Sequence, residues 1–275
     1  MTKRAHNQLM ACPRWTALSD QGRRRKNNED AWGAWSLGQV LARMPESPEL
    51  WPAHGFLLVV SDGMGGASAG EVASAFCVEQ IAEELFLRRA ESNREAALRE
   101  AFVVTHRKLM QAALDDADKL GMGATLSALW LQADGSFVLG HVGDSRIYRR
   151  EGRTWTQLTA DQSVGAGMVR RGEMTEEEVS RLRYRSMLEQ VMGGDGAPLQ
   201  PEMHSGPWQP EQVFLLCSDG LFGPLGRQIP GVFDEALQGE DLERSAHYLI
   251  DEANHAGGPD NITVLLARFV PKPTT

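Results

Sequence analysis

Phe56-Leu57-Leu58-Val59-Val60-Ser61-Asp62-Gly63-Met64-Gly65-Gly66 runs five apolar residues into an aspartate and a glycine-rich turn. Five apolar residues are too few to cross a membrane but suit a strand buried on both faces. Such a strand delivers Asp62 to its end, where glycines let the backbone turn sharply and approach another group closely. A carboxylate on a rigid strand end suits a hard cation, although a lone Asp-Gly far more often makes an ordinary turn. The pattern recurs: Val213-Phe214-Leu215-Leu216-Cys217-Ser218-Asp219-Gly220 repeats it, and Leu139-Gly140-His141-Val142-Gly143-Asp144-Ser145 is a looser version. Three strands each present an aspartate.

With 275 residues, 42% of them hydrophobic, the chain has ample material for a core and reads as one domain. A formal net charge of −9 disfavours a nucleic-acid backbone as the main partner and is compatible with an acidic, cation-holding site. Cys12, Cys77 and Cys217 are odd in number and widely spaced, so neither a disulfide framework nor a zinc knuckle is expected. A reducing cytoplasm is the default location. No apolar run follows Lys3 and Arg4, and no stretch is long enough to span a membrane, so a soluble, unexported protein is expected. Monomer is the default oligomeric state.

Outward from the central strand, residues 1–14 lack periodicity and read as a loose extension, residues 15–270 as the domain, and residues 271–275 as a tail. Trp15 to Ser19 and Asp30 to Trp35 predict short strands around the polar stretch Asp20 to Glu29. Within it, Arg23-Arg24-Arg25-Lys26 reads alone as a solvated basic loop, but Glu29 and Asp30 at its end could complete a site that holds a metal and an anion together. Leu37 to Gly55, with Pro45, Pro48 and Pro52, predicts a surface loop. Helices are predicted over Ala69 to Ala90, Asn93 to Leu120 and Leu242 to Ala253. Four strands, Thr125 to Leu131, Ser136 to Val142, Arg146 to Arg150 and Thr154 to Leu158, form an antiparallel meander. Ser163 to Arg183 is helical in composition but highly charged, and with the irregular Met192 to Gly196 it predicts a mobile flap over residues 163–196. Asn261 to Phe269 closes the chain as a strand. Runs of strands interleaved with helix pairs indicate an α+β fold in layers rather than a doubly wound parallel sheet.

The acidic candidates are Glu29, Asp30, Asp62, Asp144, Asp219 and Asp260. Clustered carboxylates repel one another, raising their pKa values unless cations neutralise them. Oxygen-only ligands argue for Mg²⁺ or Mn²⁺ and against zinc. Two such ions bridged by Asp62 could hold a hydroxide, a nucleophile at neutral pH that needs no serine, cysteine or histidine. A nearby arginine could grip a phosphoryl group with its planar fork.

The chain resembles the PPM family, the metal-dependent protein serine/threonine phosphatases of type 2C, in their compact bacterial form. The motifs in order are Ser19-Asp20-Gln21-Gly22 with Arg25 and Asn28-Glu29-Asp30, then Asp62-Gly63-Met64-Gly65-Gly66 with Ala69-Gly70-Glu71. Gly123-Ala124-Thr125, Val142-Gly143-Asp144-Ser145-Arg146, Leu158-Thr159-Ala160-Asp161, Ser218-Asp219-Gly220-Leu221 and Asp260-Asn261-Ile262-Thr263 follow. The resemblance implies a four-layer αββα sandwich, two antiparallel sheets flanked by helix pairs, with two Mg²⁺ or Mn²⁺ ions at one edge. By position, Asp62 would bridge the ions and the Gly63 carbonyl would ligate one. Asp219 and Asp260 would bind the other, and Asp30, with Glu29, would anchor the second metal. Arg25 matches the substrate-phosphate arginine. Asp144 matches a ligand that, with Asp219, holds a third, weaker metal in bacterial relatives, and Asn261 would orient Asp260. The implied partners are phosphoserine and phosphothreonine proteins, targets of a bacterial serine/threonine kinase.

Three positions depart from the family. Met64 stands where eukaryotic members often have histidine, Gln162 where many relatives have histidine after Asp161, and Ala124 where threonine is usual. His141 is a candidate for proton transfer or a strand residue without chemistry. The activity expected is hydrolysis of phosphoserine and phosphothreonine by direct hydroxide attack, with no phosphoenzyme. Two alternatives compete with it. A catalytically silent scaffold of the same family would be expected to lack metal aspartates, and a dinuclear phosphodiesterase would usually carry histidine ligands.

Overall fold

The computed structural model of the chain describes residues 12–45, 51–65, 69–195 and 198–270. The central strand, β4 (Phe56–Met64), is buried from Phe56 to Ser61, and its alternation divides two cores. Leu57 and Val59 point into one with helices α1 (Ala69–Arg88) and α2 (Arg94–Leu114); Phe56, Leu58 and Val60 point into the other, between the sheets. A strand apolar on both sides has no solvent face, which is why the segment shows no polar alternation until Ser61 and Asp62.

Around β4 an eight-stranded sheet is built. Along it run β10 (Met192–Gly193), β5 (Gly123–Ala124), β4, β6 (Leu126–Leu131), β7 (Ser136–Val142) and β11 (Glu202–Pro207). β2 (Asp30–Leu37) also pairs with β4 and carries β3 (Leu41–Arg43). The second sheet has five strands in the order β1 (Cys12–Asp20), β13 (Ile262–Val270), β12 (Val213–Cys217), β8 (Arg146–Glu151) and β9 (Thr154–Gln157). In β12, Phe214 and Leu216 face the inter-sheet core. Val213, Leu215 and Cys217 face α5 (Asp219–Leu225), α6 (Ile229–Ala236) and α7 (Leu242–His255). The result is the α+β sandwich of four layers, helix, sheet, sheet, helix, with every pairing antiparallel.

Several details differ from the sequence expectation. Cys12 to Arg14, read as loose, are the first residues of β1 and pair with Val270 to Arg268; residues 1–11 and 271–275 lie outside the described residues. The segment read as a loop between Leu37 and Gly55 contains β3, while residues 46–50 of it lie outside the described residues. The helix expected to reach Leu120 ends at Leu114, and a short 3₁₀ turn over Ala117–Lys119 follows. Among the described residues the second helical layer holds three helices, α5 and α6 joining α7. Short α5 and α6 follow Asp219 with few turns each, too few for periodicity to declare them. Of the expected flap, residues 163–195 are described and hold two short helices, α3 (Val164–Arg170) and α4 (Glu176–Ser180), closed at the base by a bridge between Ser163 and Leu188.

Candidate metal and phosphate site

The strand ends converge on one edge of the sandwich. Asp30 opens β2 directly opposite Asp62 near the end of β4. Asp219 begins α5 immediately after β12, Asp260 stands just before β13, and Asp144 occupies the turn from β7 to β8. An open cavity of about 640 Å³ at this edge is lined by Asp62, Gly63, Asp144, Asp219 and Asp260, with Glu29 and Arg25 at its side. The carboxylates taken from the sequence, with Gly63 and Arg25, therefore meet at this edge, Asp30 seated behind the wall.

Hydrogen bonds fix the carboxylates. Asp30 Oδ2 accepts from Ser218 Oγ at 2.6 Å and Thr263 Oγ1 at 2.7 Å. Ser218 precedes α5 at its N-cap position, yet its hydroxyl serves Asp30 instead of capping the helix. The Asp62 backbone N–H donates to Thr125 Oγ1 at 2.9 Å, and the Thr125 N–H returns to the Asp62 carbonyl at 2.8 Å. Ser218, Thr263 and Thr125 stand in the sequence motifs, but periodicity gives hydroxyls no signal that marks them as props. At Gly63 the chain passes so close that an added Cβ would lie 2.0 Å from the Gly70 carbonyl oxygen and 2.7 Å from that of Glu29. The glycine is a packing requirement there.

Burial first, then mutual repulsion, raises the pKa values of Asp30, Asp62, Asp144 and Asp219. Asp62 is pushed well above the ordinary range by burial and then by Asp30, Asp219, Asp144 and Asp260. Asp30 is raised to about 7, by burial and despite its two hydroxyl donors. Burial and neighbouring aspartates raise Asp144 to about 8 and Asp219 to about 6. Few cations offset them. Arg25 donates to Asp260 Oδ2 at 2.5 Å and lies 3.8 Å from Glu29 Oε2.

The donor set fits hard divalent cations. Asp30 Oδ1 and Asp219 Oδ1 are buried without a hydrogen-bond partner, an arrangement costly for a carboxylate unless something else binds it. All the donors are oxygens, which suits Mg²⁺ or Mn²⁺. Among the described residues no three His, Cys, Asp or Glu side chains stand close enough together to hold an ion by themselves. The open mouth leaves room for the waters that Mg²⁺ usually retains.

One sequence expectation is refined and one open alternative is decided. Asn261 holds Asp260 through its backbone N–H, 2.8 Å from Oδ1, while its side chain braces the preceding loop. Its Nδ2 donates to the carbonyls of Gln21 and Asn27, and its Oδ1 accepts from the Glu29 N–H. His141 is fully buried between Ser127 Oγ and the Gly143 carbonyl, outside the cavity lining, so it is a core residue and not a proton carrier for the site. Met64 does line the mouth. From the segment read as a flap, Ser186 and Leu188 reach the cavity wall, which the sequence did not single out.

An edge-of-sandwich aspartate cluster with an arginine in the same open cavity is the arrangement of an oxygen-ligated metallohydrolase. The chain belongs to the protein phosphatase 2C family, whose model matches residues 49–258. It is 33% identical over 254 residues to the serine/threonine phosphatase Stp of Listeria welshimeri, covering 90% of this chain and 92% of that one. It is 33% identical to the serine/threonine protein phosphatase PstP of Mycobacterium tuberculosis over 94% of this chain, which spans 45% of PstP. The crystal structure of the PstP catalytic domain in complex with two manganese ions superimposes with a TM-score of 0.76 at 31% identity, covering 94% of this chain and 99% of that one.

Proposed function

We propose that the protein is a metal-dependent phosphatase of phosphoserine and phosphothreonine in proteins. The observation that carries the reading is the aspartate cluster at one cavity, with two carboxylate oxygens buried unpartnered and Arg25 bonded to Asp260 in the same lining. Asp62, the Gly63 carbonyl, Asp219, Asp260 and Asp30 would hold two Mg²⁺ or Mn²⁺ ions, with Asp144 and Asp219 available to a third. Bound there, such ions supply an acidified water as nucleophile and neutralise the phosphoryl oxygens.

The chain's own residues do the rest. Arg25 offers its guanidinium to the substrate phosphate, exchanging its carboxylate partners for a group that its fork fits better. The hydroxyls of Ser218 and Thr263 keep Asp30 turned so that Oδ1 stays free. Thr125 pins Asp62 at the strand end. No described side chain at Met64 can donate a proton, so the leaving alkoxide would take its proton from water.

Relatives named as serine/threonine phosphatases support this substrate class, and proteins modified by a bacterial serine/threonine kinase are the natural targets. A reducing, cytoplasmic setting fits the free, buried Cys77 and Cys217, and among the described residues no helix is long and apolar enough to cross a membrane. Residues 163–196 would act as a flap that contributes to substrate choice.

The test is phosphate release from a phosphothreonine peptide with Mn²⁺, with Mg²⁺ and with chelator, alongside Asp219→Asn. Metal-dependent release lost in the variant is the expected result. A folded protein that releases none under either metal would instead be a silent scaffold.

A further inference from the structure

At the end of the five-stranded sheet remote from the aspartates, three arginines stand in one line. Arg14 is the register partner of Arg268, Arg268 of Val213, and Val213 of Arg150. The line therefore crosses β1, β13, β12 and β8 on one face, the face on which Val213 packs against the helical layer. From Val213 to Asp219 the chain advances six residues, placing the line roughly 20 Å from the aspartate edge at ~3.3 Å per residue. The three side chains border a cavity of about 290 Å³, with Glu211 and Glu240 also on its wall.

Like charges gathered on one sheet face repel one another and need a counterpart. Among the described residues, none of the three arginines forms an ion pair, and Arg150 Nε is buried without any hydrogen-bond partner. Arg268 spends both terminal nitrogens on the Gly239 carbonyl, each at 3.2 Å. Its guanidinium is also driven below its ordinary pKa, by burial and then by Arg150, with Glu240 offsetting only part of this.

We infer that this cavity is a second phosphoryl-binding site, distinct from the aspartate edge, in which Arg14, Arg150 and Arg268 share one phosphate dianion. A tetrahedral group presents enough oxygens for three guanidiniums at once, whereas a planar carboxylate presents two. The phosphoryl group could arrive free, as inorganic phosphate, or on a phosphorylated side chain.

Equilibrium dialysis in chelator tests the site, using the Arg25→Ala protein to weaken binding at the aspartate edge. One arm uses inorganic phosphate and the other a phosphothreonine peptide. One phosphoryl group bound per chain is expected, with affinity reduced about tenfold or more by Arg150→Gln and by Arg268→Gln. Binding of inorganic phosphate shows that the anion alone suffices; binding of the peptide alone shows that its carrier contributes. Arg14→Gln, at an exposed position, repeats the test should substitution of the half-buried Arg150 or Arg268 disturb folding. With Arg25 intact, Arg150→Gln is expected to hydrolyse p-nitrophenyl phosphate at the unaltered rate. Binding in neither arm, binding indifferent to these substitutions, or a parallel loss of hydrolysis would overturn the inference.

Discussion

Asp30 and Asp62 face each other across the β2–β4 ladder, and Asp30 Oδ1 is buried with no partner. Two carboxylates placed so are a liability to the metal-free fold, because each disfavours the charge of the other. Asp30→Asn keeps an oxygen for Ser218 and Thr263 and puts an amide nitrogen where the orphaned oxygen was. We expect the metal-free variant to melt higher, by about 2 kcal/mol or roughly 5 °C, and its metal-dependent turnover to fall about a hundredfold or more. Calorimetry and a phosphopeptide assay read the two effects; a lower Tm together with native turnover would remove the repulsion argument.

The same repulsion sets a pH dependence. Folded pKa values of about 6 for Asp219, about 7 for Asp30 and about 8 for Asp144 lie above the ordinary carboxylate value near ~4. A raised carboxylate contributes stability that is complete below the unfolded pKa and is lost as pH rises through the folded one. Metal-free protein should therefore weaken between pH 4 and pH 8 on account of these groups. Cations replace the missing protons, so the rise in Tm on adding Mg²⁺ should be larger at pH 8 than at pH 6. An equal or smaller rise at pH 8 would contradict the assignment of these groups to the metals.

Arg25 is half-exposed and already paired with Asp260 and Glu29, so its contribution is expected in ground-state binding of phosphate. Arg25→Ala should raise KM for a phosphopeptide roughly tenfold to a hundredfold while lowering kcat less. Steady-state kinetics at saturating Mn²⁺ decide the matter, and an unchanged KM would exclude the role.

Gln162 joins the segment over residues 163–196 to the turn that carries Asp144. Its backbone N–H donates to the Gly143 carbonyl at 2.8 Å, its Oε1 accepts from the Gly143 N–H at 2.9 Å, and its own carbonyl accepts from Glu189 at 2.7 Å. Gln162→Ala leaves the Gly143 N–H without its acceptor, at a cost of about 1–3 kcal/mol. Faster amide exchange over residues 163–189 is the expected signature. Exchange unchanged in that segment would show that its anchorage lies elsewhere.

The buried strands were legible because their periodicity is local: β4 and β12 declare themselves in five or six residues, and each runs directly into its aspartate. Arg25, Asp30, Asp144 and Asp260 were placed through motif order, which carries information that spacing alone does not. What escaped the sequence depends on partners distant along the chain. β11 is short and half-exposed, and it is a strand only because β7 pairs with it. Cys12 to Arg14 look patternless until β13 returns beside them. The Ser218 hydroxyl reads locally as a helix cap, yet it serves a carboxylate 188 positions away. Asn261 does hold its neighbour Asp260, through the backbone N–H, but nothing local announces that its side-chain amide braces Gln21, Asn27 and Glu29.

The central claim is that these aspartates are metal ligands, and anomalous diffraction from Mn²⁺-soaked crystals tests it most directly. Two manganese peaks flanking Asp62, one beside the Gly63 carbonyl and the other beside Asp219 and Asp260, are the predicted result. Manganese absent from this edge at saturating concentration, or bound only elsewhere on the chain, would contradict it.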